Sequence, residues 1–118
     1  MKILTIIQAR IGSTRFPGKV VKKYKGTTYL EILIKRIQKS NTINKIIVAT
    51  TVDSEDDQIQ KICEHLKIFC YRGSKYNVTD RFFQASKLFK ASNIIRITAD
   101  CPLIDPKIID KIVKKYFS

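Results

Sequence analysis

The chain has 118 residues, 44% of them hydrophobic and 28% charged, a size and balance that fit one folded core and exclude both a disordered chain and a two-domain one. No apolar run approaches the length of a bilayer span, and the apolar start Ile3 to Ile7 is too short for a signal peptide and lacks a small-residue cleavage site. The expectation is a cytoplasmic protein with no membrane partner.

Lys and Arg number 23 against 10 acidic residues, a formal net charge of +13, which suggests a polyanionic partner. Lys and Ile abound throughout, as in a proteome-wide bias, so the distribution of charge says more than its total. Lys2, Arg10, Arg15, Lys19, Lys22, Lys23 and Lys25 all precede the first acidic residue, Glu31. Cys63, Cys70 and Cys101 match no metal knuckle or redox spacing and read as reduced thiols.

In chain order, Ile3 to Gln8 has the β-branched, apolar character of a strand buried on both faces, and Ala9 to Lys19 follows as a loop with Gly12, Pro17 and Gly18. Thr28 and Glu31 form a capping box, after which Leu30, Leu33, Ile34 and Ile37 repeat at helical spacing to about Ser40. Lys45 to Thr51 is a second strand. Ser54 with Asp57 three residues on opens a second helix, striped by Ile59, Ile62, Cys63 and Leu66.

Ile68 to Arg72 is a third strand, Gly73 to Asn77 a loop, and Phe82, Ala85, Ser86 and Phe89 one face of a third helix. Asn93 to Thr98 is a fourth strand. Asp105 and Pro106 cap and open a last helix, with Ile108, Ile109, Ile112, Val113 and Tyr116 on its inner side. Strands alternating with helices predict an α/β fold with a mostly parallel, doubly wound, Rossmann-like sheet, whose ligands sit at the carboxyl ends of the strands. The end of the chain just after a helix reads as a truncation of a single nucleotide-binding domain.

The segment Gln8-Ala9-Arg10-Ile11-Gly12-Ser13-Thr14-Arg15-Phe16-Pro17-Gly18-Lys19 has the chemistry of a phosphate site. Gly12 and Gly18 permit close backbone approach, Ser13 and Thr14 offer donors, and Arg10, Arg15 and Lys19 supply cations. Lys19 is followed by Val20 and not by Ser or Thr, so the segment is not a Walker loop.

This segment, with Val48-Ala49-Thr50-Thr51, Arg72-Gly73-Ser74, Asp80-Arg81 and Arg96-Ile97-Thr98-Ala99-Asp100-Cys101-Pro102-Leu103-Ile104-Asp105, resembles in order the cytidylyltransferases that activate acylneuraminate and deoxy-octulosonate, above all their spore coat polysaccharide branch. The resemblance covers the whole chain and matches the N-terminal half of such enzymes. It implies transfer of CMP from CTP to a sugar with release of pyrophosphate, in surface polysaccharide biosynthesis. Arg10, Ser13, Arg15 and Lys19 would hold the triphosphate, with Lys19 also polarising the leaving group, and Gln8, Ala9 and Gly12 would complete the loop. It also implies Mg²⁺ held by Asp100, places Asp80 and Arg81 near the nucleotide, and leaves the acceptor pocket and a second metal carboxylate to a later segment. Ala99 departs from the family's more usual Gly, and Asn77 and Thr79 stand where relatives often carry Asp and Leu.

Ala49, Thr50 and Arg72 end strands and are candidates to line the base pocket. Asp105 is better read as a cap beside Pro106, and Glu55, Asp56 and Asp57 as helix-start acids that favour the macrodipole. His65 carries no hypothesis. Phe82, Phe83 and Phe89 fall at helical core spacing and not at the alternating positions of an RNA-stacking sheet, so no nucleic-acid partner is expected. A guanylyl or uridylyl transferase of the same fold, and a non-catalytic basic nucleic-acid-binding domain, remain as rivals. An exposed sheet edge leaves room for a homodimer.

Overall fold

Apolar, β-branched residues fill β1 (Ile3–Gln8) and β4 (Lys45–Thr51), and every residue from Ile46 to Thr51 and throughout β1 is buried. Strands covered on both faces need this continuous apolarity, because neither face meets water. The computed structural model describes residues 3–12, 21–40, 45–89, 93–98 and 106–117. Around the two central strands, β5 (Phe69–Gly73) and β6 (Asn93–Thr98) complete a four-stranded sheet in the order β5-β4-β1-β6, all parallel.

The helices divide between the two faces. α1 (Tyr29–Gln38) and α2 (Asp57–Leu66) cover one face together with α4 (Pro106–Phe117), joining Leu30, Leu33, Ile34, Ile37, Ile59, Cys63 and Val113 to Ile3, Ile7 and Val48. α3 (Val78–Phe89) covers the other, where Ala85, Phe82 and Phe89 meet Leu4, Ile6, Ile47 and Ala49. The doubly wound sheet is therefore as the strand and helix alternation implied. The side chains of Ile108, Ile109, Ile112 and Tyr116, expected on the inner side of α4, lie outside the described residues. Among the described residues no helix is long and apolar enough to cross a membrane.

Half of the expected capping box is present. The Thr28 hydroxyl accepts the Glu31 N–H at 3.2 Å, while the Glu31 carboxylate turns to Lys35, 3.8 Å away. Thr28→Ala is expected to cost about 1 kcal/mol of stability, as removal of an N-cap oxygen does; urea unfolding checks it, and an unchanged midpoint would show the cap to be idle.

A short hairpin was not foreseen. β2 (Lys23–Tyr24) pairs antiparallel with β3 (Thr27–Thr28), and positive φ at both Lys25 (52°) and Gly26 (83°) makes the two-residue turn that such hairpins favour.

The second helix begins differently from its sequence pattern. Ser54–Asp56 forms a 3-10 turn, α2 starts at Asp57, and Asp56 makes no capping bond. At its far end Lys67 takes the left-handed conformation, and the Ile68 N–H returns to the Cys63 carbonyl at 2.8 Å, so that β5 starts at once. This reversal brings the free cysteines Cys63 and Cys70 together: the hydrogen bond to Cys70, with burial, pushes the Cys63 thiol up, while the same bond holds Cys70 below its ordinary value against its own burial.

Candidate functional site

A doubly wound sheet leaves a crevice at its carboxyl edge where the strand order reverses. Here that point lies between β1 and β6. β1 leads into α1 on one face, β6 is reached through α3 on the other, and Gln8 pairs in register with Thr98. The last residue of β1 thus stands at the switch point, and the basic segment begins directly after it.

Strand alternation turns Gln8 to the same face as Leu4 and Ile6, toward α3. There it meets Arg81 from the first turn of that helix. The Arg81 guanidinium donates to Gln8 Oε1 at 2.8 Å and to the Ser74 carbonyl at 3.0 Å. Both residues are buried, Gln8 7% and Arg81 2% exposed, which is unusual for a cation that has no carboxylate partner among the described residues. Gly73 makes room for the arginine stem, since a Cβ there would lie 2.8 Å from the Tyr71 ring and 3.2 Å from Arg81 Cγ. Gln8 Nε2 and Arg81 Nε find no partner among the described residues.

Burial, reinforced by the nearby charges of Arg10 and Arg96, lowers the Arg81 pKa from its ordinary value, and Asp56 opposes the shift. A guanidinium stays charged under such a shift. The described part of the crevice is therefore electropositive and contains buried donors. It can stabilise an anion and bind a polar planar group.

Asp80, the neighbour of Arg81, faces the other way. It is exposed, its N–H is accepted by Asn77 Oδ1 at 2.9 Å, and its carboxylate lies 3.5 Å from Gln84 Nε2. Asn77 is thus the cap of α3, a role that its Asx character could have announced. Thr50 turns to the face of Ile46 and Val48, opposite to Gln8, fully buried and with its hydroxyl unpartnered among the described residues. Arg72 donates to the Thr51 and Asp53 carbonyls, to Asp57 at 2.6 Å and to Gln60 at 2.7 Å. Its visible work is to clamp the chain between β4 and α2, with one of its five N–H groups left without a partner among the described residues.

On the other side of the crevice Ala9 continues the sheet, its N–H bonding the Ala49 carbonyl at 3.1 Å. The next amide but one, that of Ile11, donates to Asp56 Oδ1 at 2.8 Å. The Thr51 hydroxyl donates to the other oxygen of the same carboxylate, which is 1% exposed. Asp56 does stand at the helix start, as expected, but its carboxylate makes no capping bond there and instead holds the chain after β1. Nothing in the local sequence signals a partner 45 residues away. Gly12 stands against Glu55, whose Oε1 lies 2.6 Å from where a Cβ would be.

The structure thus brings together Gln8, Ala9, Arg10, Gly12 and Arg81 at the carboxyl edge of the sheet; Thr50 and Arg72 end neighbouring strands at that same edge but turn their side chains elsewhere, and Asp80 faces away. Ser13, Arg15, Lys19, Asp100 and Asp105 lie outside the described residues. Among those described, no group of three or more His, Cys, Asp or Glu could hold a metal ion.

Comparison with known proteins places this geometry in a family. A profile described as Cytidylyltransferase matches residues 4–118. The chain is 38% identical over 119 residues to the spore coat polysaccharide biosynthesis protein SpsF of Bacillus subtilis, covering 98% of this chain and 50% of that protein. It is 32% identical over 118 residues to the 3-deoxy-manno-octulosonate cytidylyltransferase of Geobacter metallireducens, covering 96% and 44%. The structure of a cytidylyltransferase from Leptospira borgpetersenii superposes with a TM-score of 0.91 at 38% identity, over 97% of this chain and 48% of that one. The chain therefore spans about half the length of the curated relatives it matches. With the profile matched along nearly the whole chain and a sheet that superposes on a solved relative, this chain belongs to the cytidylyltransferase family.

Proposed function

We propose that this chain supplies the nucleotide-binding part of an enzyme that transfers CMP from CTP to a sugar, releasing pyrophosphate. The observation that carries the reading is the buried Gln8–Arg81 pair at the switch point, with donors that find no partner among the described residues and with the charge of Arg10 acting on it. A buried cation whose described partners are all neutral is costly unless an anion completes it, and the segment that starts here carries Arg10, Ser13, Arg15 and Lys19. The relatives' names support a cytidylyl donor and a sugar acid or polysaccharide precursor as acceptor.

In this reading a sugar hydroxyl attacks the α-phosphorus in line, the bond from that phosphorus to the bridging oxygen breaks, and pyrophosphate leaves. Arg10, Arg15 and Lys19 neutralise charge on the triphosphate and on the leaving group, and Ser13 with the backbone at Gly12 positions it. Gln8 and Arg81 fix the nucleotide at the strand end. A bound Mg²⁺ would supply further charge neutralisation there. The donor set fits that ion: β6 runs beside β1 in parallel register, Asp100 follows two residues after its end, and Mg²⁺ favours one or two carboxylates with phosphate oxygens and water.

Calorimetric titration with CTP, UTP and GTP, each with and without Mg²⁺, tests the reading. CTP is expected to bind most tightly, and Mg²⁺ to strengthen it in the wild type but not in Asp100→Asn, which keeps the size and removes the ligand charge. Equal affinity for the three nucleotides would overturn the choice of base. Mg²⁺ enhancement that survives in the variant would remove Asp100 as ligand.

A further inference from the structure

We propose that Asp56 is a positioning residue for the segment that would hold the triphosphate, acting through the Ile11 amide; the inference rests on the reading of that segment given above. Its two carboxylate oxygens serve two different stretches of chain. One accepts the Ile11 N–H at 2.8 Å, and the other accepts the Thr51 hydroxyl. Ile11 sits between Arg10 and Gly12, so fixing its amide fixes the direction in which the basic segment leaves β1.

The bracket that carries Asp56 is itself fastened. Thr51 Oγ1 accepts the Asp53 N–H at 3.2 Å, Arg72 donates to the Thr51 and Asp53 carbonyls, and Lys75 holds the Asp53 carboxylate at 2.8 Å. A rigid bracket can transmit rigidity. A segment already held at its base loses less conformational freedom when a ligand arrives, so part of the ordering cost is met in folding.

A negative charge beside an anion site works against the ligand, so the benefit must come from geometry and not from charge. A carboxylate offers acceptors to both Ile11 and Thr51 at once. Asparagine keeps the acceptor for Ile11 and can donate its amide to the Thr51 hydroxyl oxygen, which both donates and accepts. Alanine keeps neither. Positioning therefore predicts that the amide variant resembles the wild type, whereas a role for charge predicts that Asp56→Asn and Asp56→Ala behave alike.

The test uses the whole chain in three forms: wild type, Asp56→Asn and Asp56→Ala. Hydrogen exchange at the Ile11 amide is read without nucleotide, and CTP and CMP affinities are read by titration. In Asp56→Ala, Ile11 exchange is expected to speed up about tenfold or more and CTP affinity to fall about tenfold, with a smaller loss for CMP; a hydrogen bond to a charged group is worth roughly that factor. Asp56→Asn is expected to stay within about threefold of wild type on both readouts.

Unchanged Ile11 exchange in Asp56→Ala would overturn the inference, as would faster exchange with CTP affinity intact. Should Asp56→Ala not fold, Asp56→Asn decides: wild-type exchange and affinity support positioning, and a loss of CTP affinity with Ile11 still protected refutes it. A wild type that binds no CTP would overturn the proposed function, while the exchange arm would still judge the strut.

Discussion

Replacing Arg81 by alanine is expected to destabilise the fold by about 3 kcal/mol, whereas replacing its neighbour Asp80 is expected to change stability by less than about 0.5 kcal/mol. The two residues are adjacent in sequence and opposite in environment. Arg81 is 2% exposed and satisfies Gln8 Oε1 and the Ser74 carbonyl. Its removal leaves these acceptors without that donor, at roughly 1–3 kcal/mol for each that stays buried, and empties the space that Gly73 leaves for the stem. The relief of a desolvated guanidinium offsets part of the loss, which is why the expectation sits below the sum. Asp80 is exposed at the start of α3, where its side chain meets that of Gln84.

Urea unfolding of both variants measures the difference. For a domain of this size about 3 kcal/mol corresponds to a midpoint lower by roughly 10 °C on heating. A double substitution with Gln8→Leu separates the pair from the packing: if the pair matters, Gln8→Leu and Arg81→Ala together should cost less than their sum, because the acceptor orphaned in one variant is absent in the other. Equal effects of the Asp80 and Arg81 changes would mean that the buried pair contributes nothing.

What the sequence could reveal followed periodicity, and what it hid followed distance along the chain. The continuous apolar runs of β1 and β4 and the stripe of Leu30, Leu33, Ile34 and Ile37 are local patterns, each with one structural solution. The parallel sheet and the placing of ligands at its carboxyl edge came from the alternation of strands and helices, whereas the order β5-β4-β1-β6 and its switch point were visible only in the structure. Local rules failed where a side chain serves a distant segment. Asp56 has the sequence context of a helix-start acid, yet it is spent on Ile11, and Arg72 at a strand end is spent on the turn before α2. Gln8 and Arg81 are 73 residues apart and meet only because α3 crosses back over β1. A pairing of that kind has no periodic signature.

The largest effect on ligand binding is expected from Lys19→Ala, with CTP affinity falling about 10-fold to 100-fold and CMP affinity nearly unchanged. Lys19 ends the basic segment, eleven residues beyond Gln8 by subtraction of their numbers, while Gln8 stands at the strand end. With the nucleoside end of the ligand near Gln8 and Arg81, a separation of eleven residues is long enough to span to the outer phosphates. An ammonium group against the β- and γ-phosphates gives a charge-assisted bond that a monophosphate cannot receive. Arg10 lies at the other end of the same segment and its charge lowers the Arg81 pKa, so Arg10→Ala should weaken both nucleotides more evenly. The comparison also separates specific from diffuse electrostatics. On a chain with a net charge of +13, removing any one lysine by a purely long-range effect would lower CTP binding slightly and would fade in salt, since screening over about 8 Å acts at physiological ionic strength. Removal of a direct bond from Lys19 should still weaken CTP binding at 0.3 M salt (roughly twice that ionic strength) and should do so more than Lys39→Ala, an exposed control on the C-cap of α1. Equal losses for CTP and CMP, or equal losses for Lys19 and Lys39, would show that Lys19 does not touch the outer phosphates.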